Sequence, residues 1–226
     1  MRVSEARRTR VVGLLAIACV ALILLLNGKP AFTSASRPPR GISDPALAIQ
    51  MARNPKEIDA ILSDAPSPDR EAMRIKVYID FAFILCGAAM SIALARMFGG
   101  RLATAGAGCG ITAAIADILE NAGMLRILDI PLVQTRQPMV EAILVPAYFK
   151  WALVSIALAI FAALFLGSFG WLRKAIGAAL GAAAALGFLG LIENALLLES
   201  GIAMSIGVAL MVFLAWLREV PAEPRA

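Results

Sequence analysis

The chain has no histidine and only three cysteines among its 226 residues. Without histidine it cannot form a histidine-ligated haem site, a zinc deaminase site or a Ser-His-Asp triad. Cys19, Cys86 and Cys109 lie within apolar runs and lack the spacing of metal ligands, so we expect them to pack as small apolar side chains. We therefore predict neither a metal nor a cofactor.

Charged residues are also scarce. They make up 16% of the chain, against about 25% in ordinary soluble proteins, and hydrophobic residues make up 60%. With a mean hydropathy of +0.81, this composition excludes a soluble enzyme, a disordered chain and a secreted disulfide scaffold. The net charge of +5 arises from short basic clusters beside apolar runs, which is typical of topology determinants. We predict an integral membrane protein whose partners are membrane lipids and not nucleic acid.

Long apolar segments are what the sequence does contain. A transmembrane helix needs about 20 mainly apolar residues, and six segments meet or approach that length: residues 11–26, 77–97, 102–125, 142–166, 175–198 and 202–217. We predict an all-α bundle of six transmembrane helices. The predicted parts are an N-terminal anchor or signal-like helix (1–27), a loop (28–75), a helical hairpin (76–126), an outer loop (127–141), a second hairpin (142–199), and a C-terminal helix and tail (200–226).

The first apolar segment and the loop after it need separate interpretation. The segment is either an uncleaved anchor or a signal peptide cleaved near residues 33–35, and its length favours the anchor. In the loop, Asp44-Pro45 and Asn54-Pro55 each place a capping side chain before a proline, and Glu57 completes a capping-box spacing with Asn54. Two short amphipathic helices are predicted there, at the membrane surface or over the mouth of the bundle.

The basic clusters predict an orientation. Four arginines precede the first apolar segment, and the turns around residues 96–101 and 173–174 are basic. Because cytoplasmic loops are enriched in Lys and Arg, we expect both termini to be cytoplasmic. The expected location is the bacterial inner (cytoplasmic) membrane, which the chain crosses several times.

Two pairs of short motifs indicate an internal repeat. Residues 78–81 (Tyr-Ile-Asp-Phe) resemble residues 148–151 (Tyr-Phe-Lys-Trp), and residues 118–122 (Ile-Leu-Glu-Asn-Ala) resemble residues 191–195 (Leu-Ile-Glu-Asn-Ala). The first predicted hairpin begins near residues 78–81 and ends near 118–122, and the second begins near residues 148–151 and ends near 191–195. We therefore predict two duplicated hairpins related by a pseudo-two-fold axis along the membrane normal. This arrangement would place Asp80 opposite Lys150 and Glu120 opposite Glu193.

The apolar segments contain polar residues that hydrocarbon would not tolerate. Each ionisable residue inside a span costs at least about 2.5–3.5 kcal/mol on insertion scales, so such residues face inward and share partners. We expect one cavity in the outer half of the bilayer, lined by seven candidate residues: Asp80, Asp117, Glu120, Asn121, Lys150, Glu193 and Asn194. Asp117 and Glu120 are three residues apart and should share one helix face.

Three functions are compatible with this set. The first is binding of a small or lipid-like ligand, with acid–base catalysis as an extension in which Asp80 or Glu120 acts as the acid and Glu193 as the base. The second is translocation of a proton or cation along the carboxylates. The third is a structural polar network that joins helices. We expect ligand binding, and the sequence assigns no catalytic residue.

Several of these motifs together resemble a group of small bacterial polytopic membrane proteins to which no activity is assigned. The matching features are residues 46–55 (Ala-Leu-Ala-Ile-Gln-Met-Ala-Arg-Asn-Pro), Asp80-Phe81, Asp117-x-x-Glu120-Asn121 and the membrane-embedded Lys150, within roughly residues 45–200. The resemblance implies a shared fold and a shared polar site. It implies no reaction.

Overall fold

The computed structural model describes residues 2–28, 30, 32, 42–63 and 67–217, and the long regular elements in these ranges are helices. They are α1 (Arg2–Asn27), α2 (Pro45–Gln50), α3 (Pro55–Leu62), α4 (Pro68–Phe98), α5 (Gly100–Leu128), α6 (Gln137–Leu166), α7 (Trp171–Gly190) and α8 (Leu196–Leu217), with a 3-10 turn at Leu132–Gln134. Within the described part, α1 and α4–α8 are long and apolar enough to cross a membrane. The predicted all-α bundle with six spanning helices is confirmed, and the chain is a multi-pass membrane protein. The predicted cleavage site at 33–35 and the tail after residue 217 lie outside the described residues.

The six long helices form a closed ring. Going round it, α1 packs against α4, and then each of α5, α6, α7 and α8 packs against the helix before it, with α8 returning to α1. Neighbouring helices run antiparallel, as shown by Arg8 near the start of α1, which donates from Nη1 to the Arg96 carbonyl near the end of α4 at 2.7 Å. The ring therefore encloses an interior to which every long helix contributes side chains.

Glycines form the tight reversals between adjacent ring helices. Gly99 and Gly100, between α4 and α5, have φ of +72° and +81°, and Gly170, before α7, has φ of +101°. These dihedrals are unfavourable for residues with a Cβ atom, and glycine adopts them at little cost. Such short turns hold successive helices side by side and antiparallel.

The two ends of the ring differ in charge. One end, which we call the basic end, carries Arg7, Arg8, Arg10, Arg96, Arg101, Arg173 and Lys174. None of the acidic side chains that the structure describes lies there. Those outside the ring interior are at the N-cap of α2, on α3, near the starts of α4, α6 and α8, and in the connections after α5 and α7. The opposite end, which we call the cap end, contains α2 and α3.

The segment α2–α3 closes the cap end of the ring. Its predicted caps are confirmed: Asp44 Oδ1 accepts from the Leu47 amide at 2.8 Å, and Asn54 Oδ1 accepts from the Glu57 amide at 3.1 Å. The apolar faces are fully buried, with Ile49, Ile58 and Ile61 in one core with residues of α4, α5, α6 and α8. Of the two predicted placements, the structure has the one over the mouth of the bundle.

The fifth span is shorter than predicted. The segment 175–198 does not form one helix, because α7 ends at Gly190, a turn follows, and α8 begins at Leu196. Asn194 donates from Nδ2 to the Gly190 carbonyl at 3.0 Å, so a side chain satisfies an acceptor that a continuing helix would pair with a backbone amide. Asn194 thus caps α7, and the prediction of a spanning helix through residue 194 is wrong.

A buried arginine fixes the cap end of α5. The guanidinium of Arg70 on α4 donates from Nη1 to the carbonyls of Ile127, Leu128 and Ile130, at 3.1, 3.3 and 2.9 Å. Its Nε donates to the Ser63 carbonyl at 3.1 Å. Carbonyls at a helix C-terminus lack backbone donors, so Arg70 caps α5 and joins it to α4 and to the end of α3.

We expect Arg70→Met to lower the free energy of unfolding by at least about 2 kcal/mol, because it leaves buried carbonyls without a charged donor. The measurement is thermal or SDS-induced unfolding of the purified protein in detergent. Arg74→Met is the matched control, since it removes an arginine one turn away whose ion pair with Asp129, at 2.7 Å, is solvent-exposed. That control should cost less than about 1 kcal/mol. Equal losses for the two variants would contradict the capping role.

Candidate functional site

Lys150 is the centre of a buried ionic cluster. Its Nζ lies 3.0 Å from Asp117 Oδ1 and 2.6 Å from Glu120 Oε2. The side chains of Lys150 and Glu120 are 8% and 0% exposed. Asp117 and Glu120 reach the same ammonium because a three-residue spacing places them on one face of α5, the face that packs against α6.

Asp80 joins this cluster through α5 rather than through Lys150. Its Oδ2 accepts a hydrogen bond from Asn121 Nδ2 at 2.8 Å, and Asn121 directly follows Glu120 in the chain. The predicted Asp80–Lys150 partnership is not an ion pair in the structure, since Lys150 contacts the two carboxylates of α5 instead. Asp80, Asp117, Glu120, Asn121 and Lys150 are nevertheless brought together on α4, α5 and α6.

Glu193 does not belong to this cluster. It lies exposed in the turn between α7 and α8, whereas Glu120 is fully buried within α5. The prediction that these two glutamates face each other is therefore wrong, because α7 ends at Gly190 and Glu193 lies in the turn after it. Asn194 is buried beside the turn, and its Nδ2 lies 3.5 Å from the hydroxyl oxygen of Tyr148 on α6. Asn194 thus approaches α6 near Lys150 but serves as a helix cap.

Two residues that sequence reasoning missed connect the cap to the cluster. Trp151, next to Lys150, donates from Nε1 to Gln50 Oε1 at 3.2 Å, and Gln50 is the last residue of α2. In the sequence, Trp151 is the last residue of a repeat motif, and Gln50 is a polar residue in a predicted loop helix. No local signal identifies such a contact, since the two residues are 101 positions apart.

The cluster carries more negative than positive groups. The cluster contains three carboxyl groups, Asp80, Asp117 and Glu120, and one lysine, which gives a formal charge of −2 when all four are ionised. The Lys150 ammonium contacts Glu120 Oε2 at 2.6 Å, whereas Glu120 Oε1 has no hydrogen-bond donor among the described residues. A low-dielectric interior does not retain such an excess of charge without a proton or a cation.

A cavity of about 270 Å³ inside the ring begins at this cluster. Its polar end is formed by Gln50, Asp80, Asp117, Lys150 and Trp151. The rest of the lining is almost entirely apolar and includes one or more residues from every long helix, among them Cys19, Met90, Ala113, Phe161, Leu180 and Met211. We call this space the inner cavity.

A second cavity, of about 510 Å³, lies between the cluster and the cap end, and we call it the outer cavity. Its lining is more polar and contains Asn27, Ser43, Asp44, Lys76, Asp80 and Asn121. Asp80 and Gln50 line both this outer cavity and the inner one. They therefore mark the junction between a polar space and an apolar one.

No family model, no curated protein and no solved structure matches this chain. In the part of the chain that is described, no three His, Cys, Asp or Glu side chains are placed to hold a metal ion together. Fold and site together define a polytopic membrane protein with a carboxylate-rich cluster at the polar end of an apolar cavity.

We expect Lys150→Met to destabilise the protein by about 3 kcal/mol, because it removes the cation from two buried carboxylates. Adding Glu120→Gln to Lys150→Met should recover at least half of that loss, since it removes one of the charges left unpaired. SDS-induced unfolding of the single and double variants measures both effects. Lys174→Met, at the exposed basic end, is the control and should change little. Additive losses from Lys150→Met and Glu120→Gln would show that the two side chains do not form a coupled pair.

Proposed function

We propose that this protein binds a lipid-like, amphiphilic ligand inside the helical ring. The observation that carries the proposal is the inner cavity, which has charged and amide groups at one end and apolar side chains along the rest. Ligand pockets are commonly apolar spaces of about 300–1000 Å³ with a few polar groups that fix orientation. The polar head of the ligand lies at the cluster, and its chain extends past residues such as Met90 and Phe161.

The lining of the inner cavity favours binding over proton or cation translocation. A translocation route needs polar groups that continue from the cluster towards the basic end. Beyond the cluster, the cavity is lined by side chains such as Leu94, Phe161 and Met211, and no Asp, Glu, Lys or Arg lines it on that side. This arrangement suits an acyl or isoprenoid chain, with about 0.8 kcal/mol gained for each methylene group that is transferred there from water.

The hydrogen bonding of the cluster favours binding over a purely structural role. A polar network that only joins helices is expected to satisfy its buried groups internally. Here the Asp80 carboxylate accepts one hydrogen bond, from Asn121, and lines two cavities, and Asp117 and Lys150 also line the inner one. The cluster is thus open on one side, where a ligand head would complete it.

Filling the inner cavity tests this proposal. Gly87 lines the inner cavity, and a Cβ atom there would meet nothing within 4 Å, so Gly87→Leu should fold and occupy the space. We expect native mass spectrometry of the purified variant to show several-fold less co-purified lipid than the unmodified protein. The matched control is Gly108→Leu, since Gly108 is also open but exposed on the outer face of α5. Equal lipid occupancy in the two variants would contradict binding in the inner cavity.

We also propose that the basic end faces the cytoplasm of a bacterial inner membrane. That end carries several Lys and Arg residues and none of the described acidic side chains, whereas the Lys and Arg residues at the cap end are interspersed with acids and include Arg70 and Arg74, which are bonded within the protein. The positive-inside rule then places the cap end in the periplasm.

Cysteine labelling tests the orientation. Val133 and Phe169 are 90% and 98% exposed and lie at the cap end and the basic end, respectively. In a cysteine-free background, we expect a membrane-impermeant maleimide to label Val133→Cys in cells with a permeabilised outer membrane. Phe169→Cys should react only after the inner membrane is opened. The reverse pattern would invert the proposed orientation.

A further inference from the structure

Asp80 is the acidic group of the cluster that no described cation contacts directly, although the Lys150 ammonium lies close enough to attract it. Lys150 contacts both carboxylates of α5, and Asp80 forms no ion pair with any described cation. Lys76, one turn before Asp80 on α4, directs its ammonium to the carbonyls of Leu26 and Gly28 at the end of α1. The one hydrogen bond to the Asp80 carboxylate comes from Asn121 and leaves Oδ1 without a donor among the described residues.

The position of Asp80 matches the place where a ligand head would lie. It lines the polar outer cavity and the polar end of the apolar inner cavity. Trp151 also lines the inner cavity, and its ring lies near the Lys150 ammonium, at 5.8 Å from ring centroid to Nζ. A group that entered from either cavity would meet the Asp80 carboxylate.

The charge of the cluster selects among head groups. A carboxylate or phosphate head would add negative charge to a site that already has an excess, and like charges in an apolar interior repel strongly. An uncharged hydroxyl head could hydrogen-bond to Asp80 but would leave the excess in place. A positively charged head would neutralise part of it and form a charge-assisted contact with Asp80.

We infer that the ligand is an amphiphile with an ammonium head group that contacts Asp80 at the junction of the two cavities. This inference rests on the proposed function and adds the chemical class of the head. The alkyl chain of the ligand lies in the inner cavity, and Asn121 positions the carboxylate through its hydrogen bond.

A matched series of twelve-carbon amphiphiles tests the inference: dodecylammonium, 1-dodecanol and dodecanoate. The protein is placed in lipid nanodiscs with Trp171→Phe and Trp216→Phe, so that Trp151 is the remaining tryptophan of the three in the chain. We expect dodecylammonium to change the Trp151 emission at the lowest concentration. Asp80→Asn should weaken its binding roughly 10–100-fold, the range of a lost hydrogen bond to a charged group, and should leave 1-dodecanol binding nearly unchanged.

Glu193→Gln is the control, because it removes an exposed carboxylate outside the cluster and should leave all three affinities unchanged. Asp80→Ser is a second neutral variant, with a shorter side chain, and it should reproduce the loss of dodecylammonium binding in Asp80→Asn. If 1-dodecanol or dodecanoate binds as tightly as dodecylammonium, the ammonium head is overturned and the lipid-like ligand stands. If none of the three binds and Gly87→Leu retains its co-purified lipid, the proposed function itself fails.

Discussion

The ammonium of Lys150, held between Asp117 and Glu120, determines how three helices of the ring face one another. A lysine this deeply buried needs carboxylates, since hydrocarbon cannot solvate it. Both carboxylates come from one face of α5, so the contact fixes the rotation of α5 against α6. With that rotation fixed, Asn121 reaches across to Asp80 on α4. The polar end of the inner cavity is therefore a consequence of one ionic contact.

The cap segment completes the site from the other side. Its apolar residues are buried against the ends of α4, α5, α6 and α8, and the hydrogen bond from Trp151 to Gln50 links it to the cluster. Because Gln50 and Asp80 line both cavities, closure of the ring by the cap also divides the interior into a polar and an apolar space. Fold and site are thus not separable, since the element that covers the bundle also lines the junction.

Local signals allowed part of this arrangement to be predicted. The capping residues Asp44 and Asn54 act within three residues, and the shared face of Asp117 and Glu120 follows from helix periodicity. The two Glu-Asn motifs could not be told apart from local sequence. Glu120-Asn121 lies inside α5, whereas Glu193-Asn194 lies in a turn, where the Asn194 side chain caps the Gly190 carbonyl. Hydropathy cannot separate these cases, since both motifs have apolar neighbours. The duplication of the hairpins stays a prediction. The contacts of Arg70 and Gln50 were missed because their partners are far along the chain.

The energetics of the cluster indicate that stability is not its main role. Buried ion pairs contribute little compared with apolar residues of similar volume, because desolvation offsets most of the Coulombic attraction. A bundle that needed only to hold α5 against α6 would do as well with apolar side chains, which already fill the seams elsewhere in the ring. The carboxylate of Asp80 makes the cluster still less favourable than apolar side chains, because it adds a desolvation cost without forming an ion pair of its own. The cost of Asp80 is understandable if its partner comes from outside the chain, and its place between two cavities is where such a partner would have access.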